Sequence, residues 1–254
     1  MLGKIMCVFL LCAPALSATA MAGEQYDEAM AAWSRTLERF VDDEGRTDFK
    51  SLASQTEDLR KVIDFIESTS PASHPEQFAS KEEVLAYHIN AYNALAMYGV
   101  IDEGIPAGFN SFFKRAGFFK FRKVIIGNKK TSLYDYENKV IRPLDEPRVH
   151  FALNCMVRDC PRLPRQIFSA ETLDQQLEAA AKEFFAKDLH FRQDDNKRIA
   201  YVSSILDFYT KDFVPSGKAA DLGSYINTYR EQPVPEGYKI KFIKYDWTIN
   251  QQPK

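Results

Sequence analysis

Two cysteines, a histidine and an amide lie within residues 148–161, and the chemistry available to this chain starts there. The segment runs Arg148, Val149, His150, Phe151, Ala152, Leu153, Asn154, Cys155, then Met156, Val157, Arg158, Asp159, Cys160 and Pro161. A thiol beside an imidazole can be a nucleophile with its base, because a nearby imidazole lowers the thiol pKa and a third polar group orients the ring. Cys155 and His150 would be that pair, with Asn90, Asn93 or Glu137 as the orienting group. A second reading joins Cys155 to Cys160 in a disulfide, which four intervening residues can close if they turn. A third uses His150, Cys155 and Cys160 on a metal. Only three ligands are visible and the spacing matches no strong zinc pattern, so neither a metal nor another cofactor is expected.

Rigid elements have to present these groups. Residues 149–153 are mostly apolar and the cluster after Asn154 is polar or proline-bearing, which predicts a buried strand emerging into a loop. On an unbroken strand residues 150 and 155 would face opposite sides. The thiol reading therefore requires a bend near Asn154, or another imidazole, with His190 on a later strand as the spare. Residues 25–40 and 52–68 carry apolar side chains at helical spacing. Ser80 with Glu83 has the form of a capping box opening a helix that is apolar nearly all round and central to the fold. Asn90 and Asn93 share a face of it; pinning neighbouring loops is favoured over a catalytic role.

The aromatic stretch 112–121, with Phe112, Phe113, Phe118, Phe119 and Phe121, is read as core in preference to an apolar groove for a ligand, and a hairpin is expected over 121–133. A short helix over 134–141 would hold Glu137 and, just beyond it, Arg142 at its exposed or site-facing end, with Pro143 as its stop. A helix through Leu173 and Phe185 follows, then short strands at 189–191, 198–202 and 238–245, with helical turns near 203–208 and 219–229. This is an α+β pattern: a helix-rich single domain with short, mostly antiparallel strands. Tyr245, Asp246 and Trp247 end the last strand. An aromatic clamp is favoured there, with Asp246 a binding residue if the strand end reaches the site, as are Asn154 and Arg142.

Residues 1–22 have Lys4 as their only charge, an apolar run from Ile5 to Leu16, and small residues at Ala18, Ala20 and Ala22. This describes a secretory signal peptide cleaved after Ala20 or Ala22, its apolar part too short to span a bilayer. Export removes Cys7 and Cys12, leaving Cys155 and Cys160 in an oxidising compartment, periplasmic or external. The formal net charge of −2 suggests neither a nucleic-acid partner nor a strongly anionic membrane surface. The basic clusters at 114–115, 120–123 and 129–130 are read as a solvated hairpin edge. Residues 23–79 form an N-terminal helical segment, and 80–250 an α+β region packed with it as one unit.

Several motifs resemble the domain-of-unknown-function 547 family. They are Tyr87, His88, Ile89, Asn90, Ala91, Tyr92 and Asn93; Ser132 through Asn138 with Ile141 and Arg142; Val149 through Cys155 with Asp159, Cys160 and Pro161; residues 205–213; and Tyr245, Asp246 and Trp247 with Asn250. The resemblance covers about residues 80–250. It implies these boundaries and this site, and brings no settled reaction. The family pattern tends to an aromatic or apolar residue where His88 stands, so His88 is not read as a required group. Two functions are carried forward. One is an exported thiol-dependent hydrolase or acyl transferase acting on an amide or ester, with an unidentified small molecule or peptide as its partner. The alternative is a non-catalytic binding or assembly module whose Cys155–Cys160 disulfide stabilises a recognition loop.

Overall fold

A computed structural model describes residues 18–253 of the 254, with side chains from residue 23. The leader expected over residues 1–22 falls outside the described residues, except for the backbone of 18–22. The first helix, α1 (Ala18–Phe40), turns Trp33, Leu37 and Phe40 inward. The single helix expected over 52–68 is instead two, α2 (Phe49–Ala53) and α3 (Glu57–Ser68). Local polar groups cut it. The Asp48 carboxylate caps α2 by accepting from Ser51 N–H at 3.2 Å, and the Ser54 hydroxyl closes its far end by donating to the Ser51 carbonyl at 2.8 Å.

Helix α4 (Lys81–Asp102) is the centre of the molecule. Its capping box is complete: the Ser80 hydroxyl accepts from Glu83 N–H at 3.1 Å and the Glu83 carboxylate accepts from Ser80 N–H at 2.8 Å. From Leu85 to Val100 every residue but Tyr98 is buried, as expected of a helix without a polar face. One continuous cluster of buried side chains runs from Ala29 to Ile249. The chain's last segment seals it through isolated bridges that pair Thr248 with Gly108, Ile249 with Val157, and Gln251 with Thr47.

The aromatic stretch is helical, α5 (Phe112–Arg115) continuing into a wider π turn over Ala116–Phe121. Only Phe118 is buried, 4.3 Å from the Phe109 ring, because the helical repeat carries just one side of the stretch onto the core. The expectation that all five phenylalanines pack inside fails for Phe112, Phe113 and Phe121, which are 70 %, 85 % and 67 % exposed. The hairpin β1 (Val124–Ile126) and β2 (Lys129–Thr131) follows. Next comes α6 (Leu133–Tyr136), running into a second π turn over Glu137–Ile141.

After α7 (Leu173–Ala186), strands β3 (Phe191–Asp194) and β4 (Ile199–Ser203) pair antiparallel, and β5 (Lys239–Ile243) adds parallel to β4. Between β4 and β5 lie α8 (Ile205–Phe208), α9 (Thr210–Phe213) and α10 (Leu222–Ile226). The fold is a helix-rich α+β single domain with small sheets of short strands. Among the described residues no helix is long and apolar enough to cross a membrane.

Candidate functional site

The segment leading into the cysteines is not a strand. Residues 147–151 form a 3-10 helix, Pro147–Phe151. Pro147 occupies its first turn, where a missing N–H costs nothing, and the Glu146 carboxylate caps it by accepting from Arg148 N–H at 3.1 Å. β-Branched and aromatic content suggested a strand, and the cap together with packing against α7 decided otherwise. The opposed-face constraint on His150 and Cys155 therefore does not apply.

His150 is buried and engaged. Its Nε2 lies 2.8 Å from Asp212 Oδ2 on α9, and its ring stacks on Tyr209 at 3.9 Å between centroids. Arg142 clamps the same carboxylate with two parallel N–H donors at 2.6 Å each and donates its remaining nitrogen to Asn138. Burial pushes the Asp212 carboxyl up, but the Arg142 and His150 hydrogen bonds outweigh it and hold the group well below the usual carboxylate range. The Arg142 guanidinium also sits over the Tyr209 ring at 5.2 Å.

Glu137 lies behind this pair, buried, and accepts from the Tyr92 hydroxyl at 3.2 Å. Burial first, and then the Glu137 charge, push the Tyr92 and Tyr209 phenols well above their ordinary range. Glu137 lies four residues after the buried Leu133, so the helical repeat carries its carboxylate onto the core face.

The three amides act on backbone. Asn93 donates to the Ala152 carbonyl at 3.0 Å and accepts from Asn154 N–H at 2.7 Å. Asn154 in turn donates to the Pro161 carbonyl and accepts from Met156 N–H, both at 2.7 Å. Asn90 is elsewhere on α4, holding Phe168 through its carbonyl at 2.7 Å and its N–H at 3.1 Å. Each satisfies groups that burial would otherwise leave unpaired.

Cys155 and Cys160 form a disulfide with Cα atoms 6.1 Å apart. The buried Tyr245 hydroxyl lies 3.6 Å from the Cys155 sulfur and 3.5 Å from that of Cys160. Among the described residues no imidazole hydrogen-bonds to either sulfur. Cys160 opens onto a cleft of about 520 Å3 whose lining includes Arg158, Asp159, Arg162, Lys187, His190 and Asp246. Asp159 accepts from Asp246 N–H at 2.7 Å, and burial with the adjacent Asp246 charge raises its pKa.

His190 lines both this cleft and a smaller cavity of about 80 Å3, stacked on Phe184 at 4.0 Å, with its Nδ1 buried and unpartnered. Burial lowers its pKa to about 3, so the ring is neutral at neutral pH. Among the described residues no three His, Cys, Asp or Glu side chains converge as a metal site requires.

The fold thus brings His150, Arg142 and Glu137 into one ionic and aromatic network, places Asn93 and Asn154 at the loop root, and puts Cys155, Cys160 and Asp246 on the loop and its rim. Asn90 belongs to neither group. Asp212, Tyr209, Tyr92 and Tyr245, which join these parts, are not among the candidate site residues read from the sequence, although all four lie in the motifs that carry the family resemblance. The available signal was the spacing of Tyr209 and Asp212, three residues apart and so on one face of a helical turn. Compared with known families, residues 76–185 match the family model described as Protein of unknown function, DUF547. No curated protein and no solved structure matches the chain.

Proposed function

We propose that this chain, whose residues 76–185 match the DUF547 family model, is an exported binding or assembly module whose recognition loop, residues 154–161, is stapled by the Cys155–Cys160 disulfide. The observation that carries the reading is the state of the sulfurs: both are in the bond, held against the Tyr245 hydroxyl, while the His150 imidazole is bound to Asp212. A thiolate is what a cysteine enzyme attacks with, and a bonded sulfur supplies none. The ligand, a small molecule or peptide, would sit in the cleft at Cys160, where Arg158, Arg162 and Lys187 offer cations and Asp159 and Asp246 offer carboxylates.

A thiol-dependent hydrolase or acyl transferase is the second reading. It is favoured by the partial exposure of Cys155 and by the oriented imidazole of the His150–Asp212 pair. Thiol titration of native protein across pH separates the two. The module gives no free thiol until reductant is added. A Cys155 that labels without reductant and with a depressed pKa, in a reaction lost in Cys155→Ala and slowed in His150→Ala, makes it an enzyme. Reduction should also be mild for the fold. A five-residue separation removes little chain entropy, so opening the bond costs about 2 kcal/mol, a Tm drop of roughly 4–8 °C for a domain of this size. For export, N-terminal sequencing of protein from an envelope fraction is expected to begin at Met21 or Gly23; a chain retaining Met1 there removes the leader.

A further inference from the structure

Net charge conceals a strong local asymmetry. Residues 104–134 contain seven Lys or Arg and no Asp or Glu, whereas the whole chain stands at −2, so everything outside that stretch stands at −9. The most protruding aromatics of the described residues rise from the same stretch. Phe112, Phe113 and Phe121 are 70 %, 85 % and 67 % exposed, and Tyr134 and Ile125 beside them are 47 % and 40 % exposed. Apolar side chains this large are rarely left together in water without a partner.

The helix that carries them is anchored from beneath. Phe118 packs on Phe109 and Phe119 on the Trp247 edge, which leaves the opposite side free to project. Phe112 and Phe113 touch edge to face at 5.8 Å, and a side chain added at Gly117 would meet nothing, so the surface between them and Phe121 is open. Lys114, Lys120 and Lys123 are exposed around these rings, and among the described residues none of them forms an ion pair.

We propose that Phe112, Phe113 and Phe121, ringed by Lys114, Lys120 and Lys123, dock this protein peripherally onto an anionic phospholipid bilayer. Protruding rings enter the acyl boundary while long lysine stems reach phosphates at headgroup level. A second copy of the chain is disfavoured, because a two-fold contact would set one cationic patch against another. Single-stranded nucleic acid is disfavoured because successive bases need separate stacking platforms, whereas Phe112 and Phe113 stand edge to face against each other.

The test is co-sedimentation of the chain without its proposed leader, residues 23–254, with vesicles of equal parts phosphatidylglycerol and phosphatidylcholine, against pure phosphatidylcholine. The apolar run Ile5 to Leu16 would otherwise add the same background binding to every variant. Binding to the anionic vesicles is expected to fall at least about tenfold in Phe112→Ser/Phe113→Ser and in Lys114→Glu/Lys120→Glu. It should weaken for the wild type at about 1 M salt, with Tm unchanged in both variants. Either variant sedimenting like wild type overturns the proposal. So does equal wild-type binding to both vesicle types or to neither, tighter binding to a single-stranded oligonucleotide, or a wild-type dimer that the phenylalanine substitutions dissociate.

Discussion

Asn93→Ala is expected to lower the stability of the native fold by about 3 kcal/mol, because it removes the side chain that holds both Ala152 and Asn154 at the entry to the disulfide loop. Asn93 gives its amide to the Ala152 carbonyl and takes the N–H of Asn154, and all three residues are buried. Alanine leaves one donor and one acceptor unpaired in the interior, each costing about 1–3 kcal/mol. For a domain of this length a loss of that size shifts Tm by roughly 6–12 °C. Thermal unfolding followed by circular dichroism measures it. Asn90→Ala should cost a comparable amount by releasing Phe168, but should leave the reactivity of the Cys155–Cys160 bond toward reductant unchanged. Asn93→Ala should speed reduction of that bond, since it frees the backbone at Asn154. A Tm within about 2 °C of wild type would mean that water satisfies the two backbone groups and that the asparagine is dispensable.

Asp212→Asn comes second, with an expected loss of about 2–3 kcal/mol. It removes the charge that pairs with Arg142 through two donors and with His150 through one, in a place where the side chain of Asp212 is 22 % exposed and that of Arg142 27 %. The guanidinium is then left against Tyr209 without a carboxylate. A double-mutant cycle with Arg142→Gln should show the two losses to be non-additive, with a coupling of about 1–3 kcal/mol.

The pH dependence has a definite sign. Asp212 is held below its ordinary carboxylate range in the folded protein. Its contribution is therefore complete above the unfolded value of about 4 and is lost as the pH falls below that. As the pH falls below about 4 the difference in stability between wild type and Asp212→Asn should shrink. A difference that instead grew on acidification would place the depressed carboxyl elsewhere.

Much of the fold could be read before any coordinates. The capping box of Ser80 and Glu83, the apolar perimeter of α4 and the hairpin over 121–133 each rest on local chemistry, which neighbours in sequence suffice to specify. The strand expected at 149–153 failed because a short apolar run is ambiguous in period. Pro147 and the Glu146 cap decided it for a 3-10 turn. The phenylalanines of 112–121 failed for the complementary reason: composition tells how many rings there are, and only the helical phase tells which side they project from.

What the sequence determined by itself was the set of participants: two cysteines five apart, an imidazole just before them, two asparagines on one helix face, and a basic aromatic stretch free of acids. Which of them meet was decided by the tertiary structure. Asp212 lies 62 residues from His150 and 70 from Arg142, and Tyr245 lies 85 from Cys160. No local periodicity encodes such pairings. They arise where α9 and the last strand's end close onto the turn at residues 147–151, because burying those apolar faces together leaves the polar groups among them no other partners.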